Sequence, residues 1–210
     1  MHLYSEVIIL PTLDTPLDPR IADDPKYQRY FADCLGALDG THIDVHVTAQ
    51  EQPRYRNRKG HLSQNVLAVC NFAMEFTYIL AGWEGSAHNT AVLRDAKVNK
   101  GFITLPGKYW LGDAGYTNSD TVLVLYRATR YHLKEQRLSG LKPENAKELF
   151  NLRYASLQNV VERIFSVVKR KYQVLRTLSE YSINTQTRII LAYCTLHNYI
   201  RSIEGEKADI

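Results

Sequence analysis

The order of its β-rich and helical segments constrains the fold of this 210-residue chain more than any other feature. An alternating segment, GALDGTHIDVHV at 36–47, precedes two further β-rich runs, QNVLAVCNF at 64–72 and TYILAGWE at 77–84. The four residues between those runs predict a hairpin, and hence an antiparallel meander of three strands. A helical pattern at 89–99 follows, with Asn89 or Thr90 as its N-cap. After it come a fourth strand in KYWLGDAGY at 108–116 and two long helical patterns, the second of which is apolar enough to be largely buried. We therefore expect an α/β fold, with helices flanking a mixed sheet.

The remaining segments suggest one main domain. Four prolines within residues 1–30 predict an N-terminal extended arm that ends in a short helix, and we place the catalytic-size domain at 31–205 and a C-terminal tail at 206–210. Residues 117–143 read as a long irregular loop. Three widely spaced cysteines without zinc-site spacing favour a reducing compartment. No apolar run is long enough to cross a bilayer, so we expect a soluble intracellular protein without a membrane partner.

Three carboxylates occupy informative places in this order of elements. Asp39 has the same parity as Ile43 and Val45, so unless Gly40 forms a bulge its carboxylate points towards the core side of the strand. Asp113 ends the fourth strand, and Glu162 lies at the edge of the apolar stripe of the first long helix. If the fold gathers them, three carboxylates would need a shared cation, and hard oxygen ligands suit Mg²⁺ or Mn²⁺. The pattern predicts a metal site.

Each carboxylate also has a purely structural interpretation. Asp39 with Gly40 can be a turn pair, Asp113 can cap the turn that follows it, and Glu162 can be a solvated helix residue. These interpretations explain the residues one at a time, but they leave the core-side parity of Asp39 without a reason. Both alternatives stay open at this point.

Positive charge is concentrated in the stretch PRYRNRKGH, which follows the first strand. Arg54, Arg56, Arg58 and Lys59 occur there without an acid, and a loop of this kind can hold DNA phosphates or can be a solvated hairpin. Lys169 lies two helical turns after Glu162 on the same face and is a further candidate for a phosphate contact.

Several blocks of the sequence carry a family resemblance. GALDGTHIDV, YILAGWEGSAHNTAVLRDA, YWLGDAGY, RYHLKE, NAKELFNLRYASLQNVVERIFSVVKRKY and LAYCTLHNYI resemble successive blocks of the PIF/Harbinger transposase nucleases of the DDE endonuclease superfamily. The resemblance runs from about residue 22 to residue 203. It implies a ribonuclease H-like fold, which the order of elements also matches, and it places Asp39, Asp113 and Glu162 at the metal-binding Asp, Asp and Glu of the family.

The resemblance also implies an activity. In such a nuclease two divalent ions held by the three carboxylates promote in-line attack on a DNA phosphate, so that one strand is nicked and later joined to a target. Relatives work with a Myb-like protein partner and in the nucleus, so we expect DNA, a Myb-like partner and a nuclear, or nuclear and cytoplasmic, location, with assembly into a homo-oligomer as a further expectation.

Two positions depart from the family pattern. Asn89 stands where relatives commonly have Asp, and Gln158 stands where they often have Arg, which would weaken a phosphate contact. The N-terminal DNA-binding region that usually precedes the domain does not precede it in this sequence. These departures favour the alternative hypothesis of a decayed or domesticated transposase fragment, which binds DNA or a protein partner without cleaving.

Overall fold

The computed structural model describes residues 2–127, 129, 143–177, 180–205 and 207. Most of the predicted tail at 206–210 and most of the second half of the predicted loop at 117–143, including the block RYHLKE, lie outside the described residues. The helices and strands run, in chain order, as α1 His2–Val7, α2 Pro19–Ala22, α3 Pro25–Phe31, β1 Cys34–Asp44, α4 Gln52–Tyr55, β2 Ser63–Cys70, β3 Phe76–Glu84, α5 Asn89–Asn99, β4 Tyr109–Gly112, β5 Val122–Leu123, α6 Ala146–Lys171 and α7 Ile183–Glu204.

The five strands form one mixed sheet in the order β3-β2-β1-β4-β5. The pairs β1–β2 and β2–β3 are antiparallel, as the meander predicts, whereas β4 joins β1 in parallel and β5 joins β4 in parallel. A parallel return needs a crossover, and the segment containing α5 supplies it between β3 and β4. The prediction of an α/β fold with a mixed sheet flanked by helices is confirmed.

Helices cover both faces of the sheet. On one face α6 packs on β1 and α7 packs on β3, and their apolar residues form the larger core with the odd-numbered residues of β1, such as Ala37 and Ile43. On the other face α5 packs against Leu38, Leu67 and Trp110. Because successive side chains of a strand alternate between faces, this division assigns the residues of β1 from Ala37 onwards, where the ladder is regular, to the α6 face or to the α5 face.

Three segments differ from the sequence-based expectation. The N-terminal segment is not extended before its last helix, because α1 forms and packs on α7, where Asn198 of α7 donates to the carbonyl of Val7 at 2.8 Å. Strand β5 lies inside the predicted loop; two residues are too few to show a period in sequence. Finally, α7 buries only one face, since Leu196, Tyr199 and Ile203 are exposed.

Three cysteines, Cys34, Cys70 and Cys194, lie in the larger core as free thiols. Burial raises the pKa of Cys34 and of Cys194 to about 12, and it raises the pKa of Cys70 further. None of the helices in the described part of the chain combines the length and the apolar character that a bilayer span requires.

Candidate active site

Asp39 and Asp113 are brought together by the parallel pairing of β1 with β4. Leu38 is the partner of Gly112, and each aspartate is the next residue of its chain. Adjacent strands lie about 4.8 Å apart, so the two aspartates are neighbours at this end of the sheet. The ladder between β1 and β2 runs from residue 37 to residue 44 without a register shift, so Gly40 is not a bulge and Asp39 lies on the α6 face with Ala37.

Helix α6 crosses this face and is attached to a strand on either side of Glu162. The hydroxyl of Tyr154 lies 2.5 Å from the carbonyl oxygen of Gly112 and 2.7 Å from that of Leu123. The ammonium of Lys169 donates to Thr41 Oγ1 and to the carbonyl of His42, each at 2.8 Å. Glu162 lies between these attachments, eight residues after Tyr154 and seven before Lys169, so the helix carries it across the part of the sheet that holds the aspartates.

The carboxylates interact electrostatically. The pKa of Asp39 is raised to about 7, chiefly by burial, and the negative charges of Asp113 and Glu162 add to the effect, while the backbone N–H of Gly40 opposes it at 2.7 Å. Burial raises the pKa of the Tyr116 hydroxyl well above its ordinary value, and the negative charges of Asp39 and Asp113 raise it further. The charges of Asp113 and Glu162 therefore act on Asp39. Asp113 and Glu162 are exposed, and Asp39 is half-buried.

The donor atoms of this site suit a divalent cation, but the present arrangement of the side chains does not. The donors are hard carboxylate oxygens, and a cation would offset both the burial and the like-charge repulsion that raise the pKa of Asp39. In the arrangement seen for the described residues, however, no three His, Cys, Asp or Glu side chains are gathered closely enough to hold a metal ion. The donor chemistry therefore suits Mg²⁺ or Mn²⁺, and binding would require side-chain rotation, which the exposure of Asp113 and Glu162 permits.

The purely structural interpretations of Asp39, Asp113 and Glu162 can be compared with the structure one by one. Asp39 and Gly40 are interior residues of β1, so they are not a turn pair. Asp113 does stabilise the turn that follows, since its side chain accepts from the N–H of Gly115 at 3.4 Å and its carbonyl accepts from Tyr116 at 3.0 Å. This turn role leaves the exposed carboxylate next to Asp39. Glu162 is exposed on α6, as a solvated helix residue would be, so its role as a ligand stays a prediction.

Asn89, the first departure from the family pattern, lies on the opposite face of the sheet from Asp39. Its amide packs against Gly40, where an added Cβ would lie 2.4 Å from Oδ1 of Asn89, and Asn65 donates to that same oxygen at 2.8 Å. Asn89 was predicted as an N-cap of α5, with Thr90 as the alternative, but the cap residue is His88. The reason is that the Asn89 side chain is taken by Asn65 on the neighbouring strand.

Gln158, the second departure, is buried one helical turn before Glu162. Its Nε2 atom has no hydrogen-bond partner in the described part of the chain. A buried amide without a partner costs free energy, typically about 1–3 kcal/mol. This position therefore holds a costly polar side chain one helical turn from Glu162, and Gln158 supplies no positive charge there.

The predicted basic loop forms contacts of its own. Arg54 forms an ion pair with Glu84, Arg56 donates to a carbonyl within the loop at 2.8 Å, and Arg58 contacts His88. These contacts order the loop between β1 and β2 and keep its cations on the surface. Phosphate binding by this loop stays a prediction, because DNA would have to share or replace these partners.

Part of the loop converges with α6. The pKa of His42 is lowered, first by burial and then by the positive charges of Lys169, Lys59 and Arg58. Lys169 was predicted to contact DNA, and the structure shows that two of the three donors of its ammonium bind β1. One donor remains for a phosphate. Three of the predicted DNA-binding cations therefore act electrostatically on the end of β1 that follows Asp39, and one of them, Lys169, contacts it directly.

Sequence reasoning missed the residues that support the site. Tyr154 attaches α6 to β4, the hydroxyl of Thr41 accepts a hydrogen bond from Lys169, and the charges of both aspartates raise the pKa of the buried Tyr116. Tyr116 belongs to the quoted block around Asp113, so the motif itself marked it. Tyr154 and Thr41 are recognisable only from contacts between elements that are remote in sequence.

The sheet presents neighbouring aspartates from two parallel strands beneath a long helix, and similarity to known proteins identifies the chain as a transposase-derived nuclease domain. The chain belongs to the DDE superfamily endonucleases, whose family model matches residues 38–198. This match confirms the resemblance to the Harbinger-type nucleases. No solved structure matches significantly.

Three curated relatives illustrate the similarity. The chain is 28% identical over 169 residues to the protein named "Putative nuclease HARBI1" of Rattus norvegicus and 27% identical over 169 residues to its Homo sapiens counterpart, with 78% of this chain and 45% of each relative covered. It is 26% identical over 198 residues to "Protein ALP1-like" of Arabidopsis thaliana, covering 84% of this chain and 45% of that protein. The chain therefore spans less than half the length of these relatives.

Proposed function

We propose that this chain is a metal-dependent DNA endonuclease domain of the DDE transposase type, with a ribonuclease H-like fold, which cuts and joins phosphodiester bonds. The observation that carries the proposal is the parallel pairing of Leu38 with Gly112, which makes Asp39 and Asp113 neighbours at one end of the sheet. The negative charge of Glu162 also acts on Asp39, which supports the inclusion of this third carboxylate. The sheet order β3-β2-β1-β4-β5, with one antiparallel hairpin side and one parallel side, supports the ribonuclease H-like assignment.

In this proposal the residues of the chain have distinct tasks. Asp39, Asp113 and Glu162 would hold Mg²⁺ or Mn²⁺, which when bound in a two-ion site supplies an activated nucleophile and stabilises the leaving oxygen. Lys59, Arg58 and Lys169 would hold the DNA backbone near the end of β1 through its phosphates. Tyr154 and Lys169 keep α6, and with it Glu162, in register with the two strands.

A second function is favoured by a specific observation. The described carboxylates are not gathered as a ready metal site, and Gln158 and Asn89 bring no charge to their positions. A domesticated domain that binds DNA or a protein partner without cleaving would have these properties. The Myb-like partner, the homo-oligomer and the nuclear location stay predictions from the family resemblance.

A plasmid-nicking assay separates the two functions. Purified protein is incubated with supercoiled DNA and Mn²⁺, alongside Asp113→Asn and a matched control, Asp14→Asn, which changes an exposed aspartate in the N-terminal segment. We expect nicking by the wild type and by the Asp14 variant, none with chelator, and a loss of about 100-fold or more in the Asp113 variant because a ligand charge is removed. Bound but intact DNA in all samples would support the second function.

A further inference from the structure

Two exposed tyrosines lie away from the carboxylates, and each has a cation above its ring. Tyr30 is 46% exposed and Tyr126 is 48% exposed. The guanidinium groups of Arg29 and Arg153 lie 5.4 and 5.3 Å from the centre of the Tyr30 ring, and the ammonium of Lys147 lies 5.5 Å from that of Tyr126. Half-exposed rings with cations beside them are the components from which single-stranded nucleic acid sites are built.

The two tyrosines belong to one surface. The ring of Phe150 in α6 lies 5.3 Å from that of Tyr126 and 5.7 Å from that of Phe31, the residue after Tyr30. A groove of about 100 Å³ lies beside Tyr30, and its lining includes Leu149, Phe150 and the side chain of Arg153. Because Phe150 lines this groove and also contacts Tyr126, the apolar floor beside Tyr30 continues to the second ring, and such a floor can accept the faces of unpaired bases.

This surface is connected to the carboxylate site. Arg127, the residue after Tyr126, donates to the carbonyl of Ala114 at 3.1 Å, and Ala114 follows Asp113. We call the set Arg29, Tyr30, Tyr126, Arg127, Lys147 and Arg153 the basic–aromatic strip. Through Arg127 the strip contacts Ala114, the residue next to the proposed metal ligand Asp113. From there it extends over α3 and the first half of α6.

The charge of the strip is positive. Within the described part of the chain, its four cations form no ion pair with a carboxylate. Two acids lie close by: Asp24 is paired with Lys26 at 2.7 Å, and Glu148 accepts the backbone N–H of Glu144 at 2.9 Å. The strip therefore complements a polyanion.

Resting on the proposed nuclease function, we propose that the basic–aromatic strip binds the unpaired DNA strand that leads away from the carboxylate site. Bases stack on Tyr30 and Tyr126, and Arg29, Lys147 and Arg153 contact phosphates. The energies favour this exchange, because a cation over an exposed ring contributes only about 0.5–1 kcal/mol, whereas stacking a base contributes about 1–3 kcal/mol. Bases of an intact duplex already stack on each other, so the strip selects unpaired strands.

The test measures binding without cleavage. A fluorescent oligothymidylate is titrated in EDTA with the wild type, with Tyr30→Ala/Tyr126→Ala, with Tyr30→Phe/Tyr126→Phe, and with Tyr199→Ala as a control for an exposed tyrosine on α7. We expect the double alanine variant to lose about 30-fold or more in affinity, from two lost stacking contacts. The phenylalanine and Tyr199 variants should bind within about 2-fold of the wild type, since the rings of the strip are kept.

A second variant tests the same surface without removing a ring. Lys147→Gln/Arg153→Gln should weaken binding and reduce the salt slope of the affinity by about 1.4, because two phosphate contacts are removed. Thermal unfolding shows whether each variant is folded. If the double alanine variant is unfolded, the affinity of the Lys147→Gln/Arg153→Gln variant for the single strand tests the proposal instead.

Three outcomes would overturn the proposal: single-strand affinity that is unchanged in the ring and charge variants, an equal loss for duplex and single strand, or unchanged DNA binding with a change of oligomeric state by light scattering. The last outcome would assign the strip to a second copy of the chain. Nicking is measured separately, so a protein that uses the strip but never nicks would refute the nuclease function alone.

Discussion

The two faces of the sheet place very different polar groups at the same point of β1. On the α6 face Asp39 carries a carboxylate whose pKa is raised by burial and by two neighbouring acids. On the α5 face the next residue, Gly40, leaves room for the neutral amide of Asn89, which accepts a hydrogen bond from Asn65. The α5 face is neutral where the α6 face concentrates negative charge. Folding alone does not account for such a concentration, and the difference separates a supporting face from a functional one.

The largest expected effect comes from removing the charge on the α6 face. Asp39 has a pKa of about 7 in the folded protein against an ordinary value of 3.8, so between these pH values the folded state binds more protons than the unfolded state. Stability therefore falls as pH rises from about 4 to 7, by at most about 4 kcal/mol for this shift and by less after partial exposure is considered. Asp39→Asn lacks this loss and should be more stable than the wild type at pH 8.

Urea unfolding of both proteins in EDTA measures this effect. The stability difference should be large at pH 8 and should shrink towards pH 4, where the wild-type carboxyl is protonated in the folded state. A difference that is the same at both pH values would mean that Asp39 is not an uncompensated charge, and the contrast between the two faces would be lost.

A smaller effect is expected from filling the space on the α5 face. Gly40→Ala would put a Cβ 2.4 Å from Oδ1 of Asn89, so the amide must move and its hydrogen bond to Asn65 weakens. We expect a loss of about 1–3 kcal/mol in unfolding free energy, as for an overpacked core. Gly115→Ala is the matched control, because its Cβ would meet only Asp113 Oδ2 at 3.6 Å.

The second glycine variant decides how the first is interpreted. If Gly40→Ala is as stable as Gly115→Ala, the Asn89 amide is free to move, and the α5 face is less tightly packed than the contacts indicate. The double variant Gly40→Ala/Asn89→Ala should recover part of the lost stability, since the colliding atoms are removed.

The smallest effect concerns the attachment of α6 to β1. Lys169→Met removes the two hydrogen bonds to Thr41 and to the carbonyl of His42 but keeps the apolar stem, so we expect a loss of about 1 kcal/mol in unfolding free energy. If the remaining donor contacts DNA, the salt slope for duplex binding should also fall by about 0.9.

Two measurements on this variant separate its roles. A stability loss with an unchanged salt slope would restrict Lys169 to positioning α6 and would contradict its predicted DNA contact. Lys169→Arg keeps the charge and should retain the slope.

The features that the sequence predicted are those with a local signature. The parity of Asp39 in β1, the hairpin between β2 and β3, and the buried stripe of Val161, Ile164 and Phe165 on α6 each depend on residues within one element, where a period of 2 or 3.6 is visible. Such patterns identified the face on which Asp39 lies before any pairing was known.

The features that no local pattern could establish depend on pairing between remote segments. The adjacency of Asp39 and Asp113 was expected only if the fold gathered the carboxylates, and it follows from the register of β1 with β4. The attachment of Tyr154 to β4 was not predicted, and it follows from the crossing of α6. The predicted N-cap of α5 was wrong because Asn65, in strand β2, forms a hydrogen bond with the Asn89 side chain. No local rule can weigh such a competitor.

The three core thiols have a practical consequence. Because a thiolate is the reactive form and burial holds the pKa of Cys34 and Cys194 at about 12, the native cysteines should stay unmodified by maleimide dyes while the fold is intact. A single cysteine introduced on the surface could then be labelled selectively without first deleting the others. In the unlabelled chain, the onset of alkylation would report the opening of its interior.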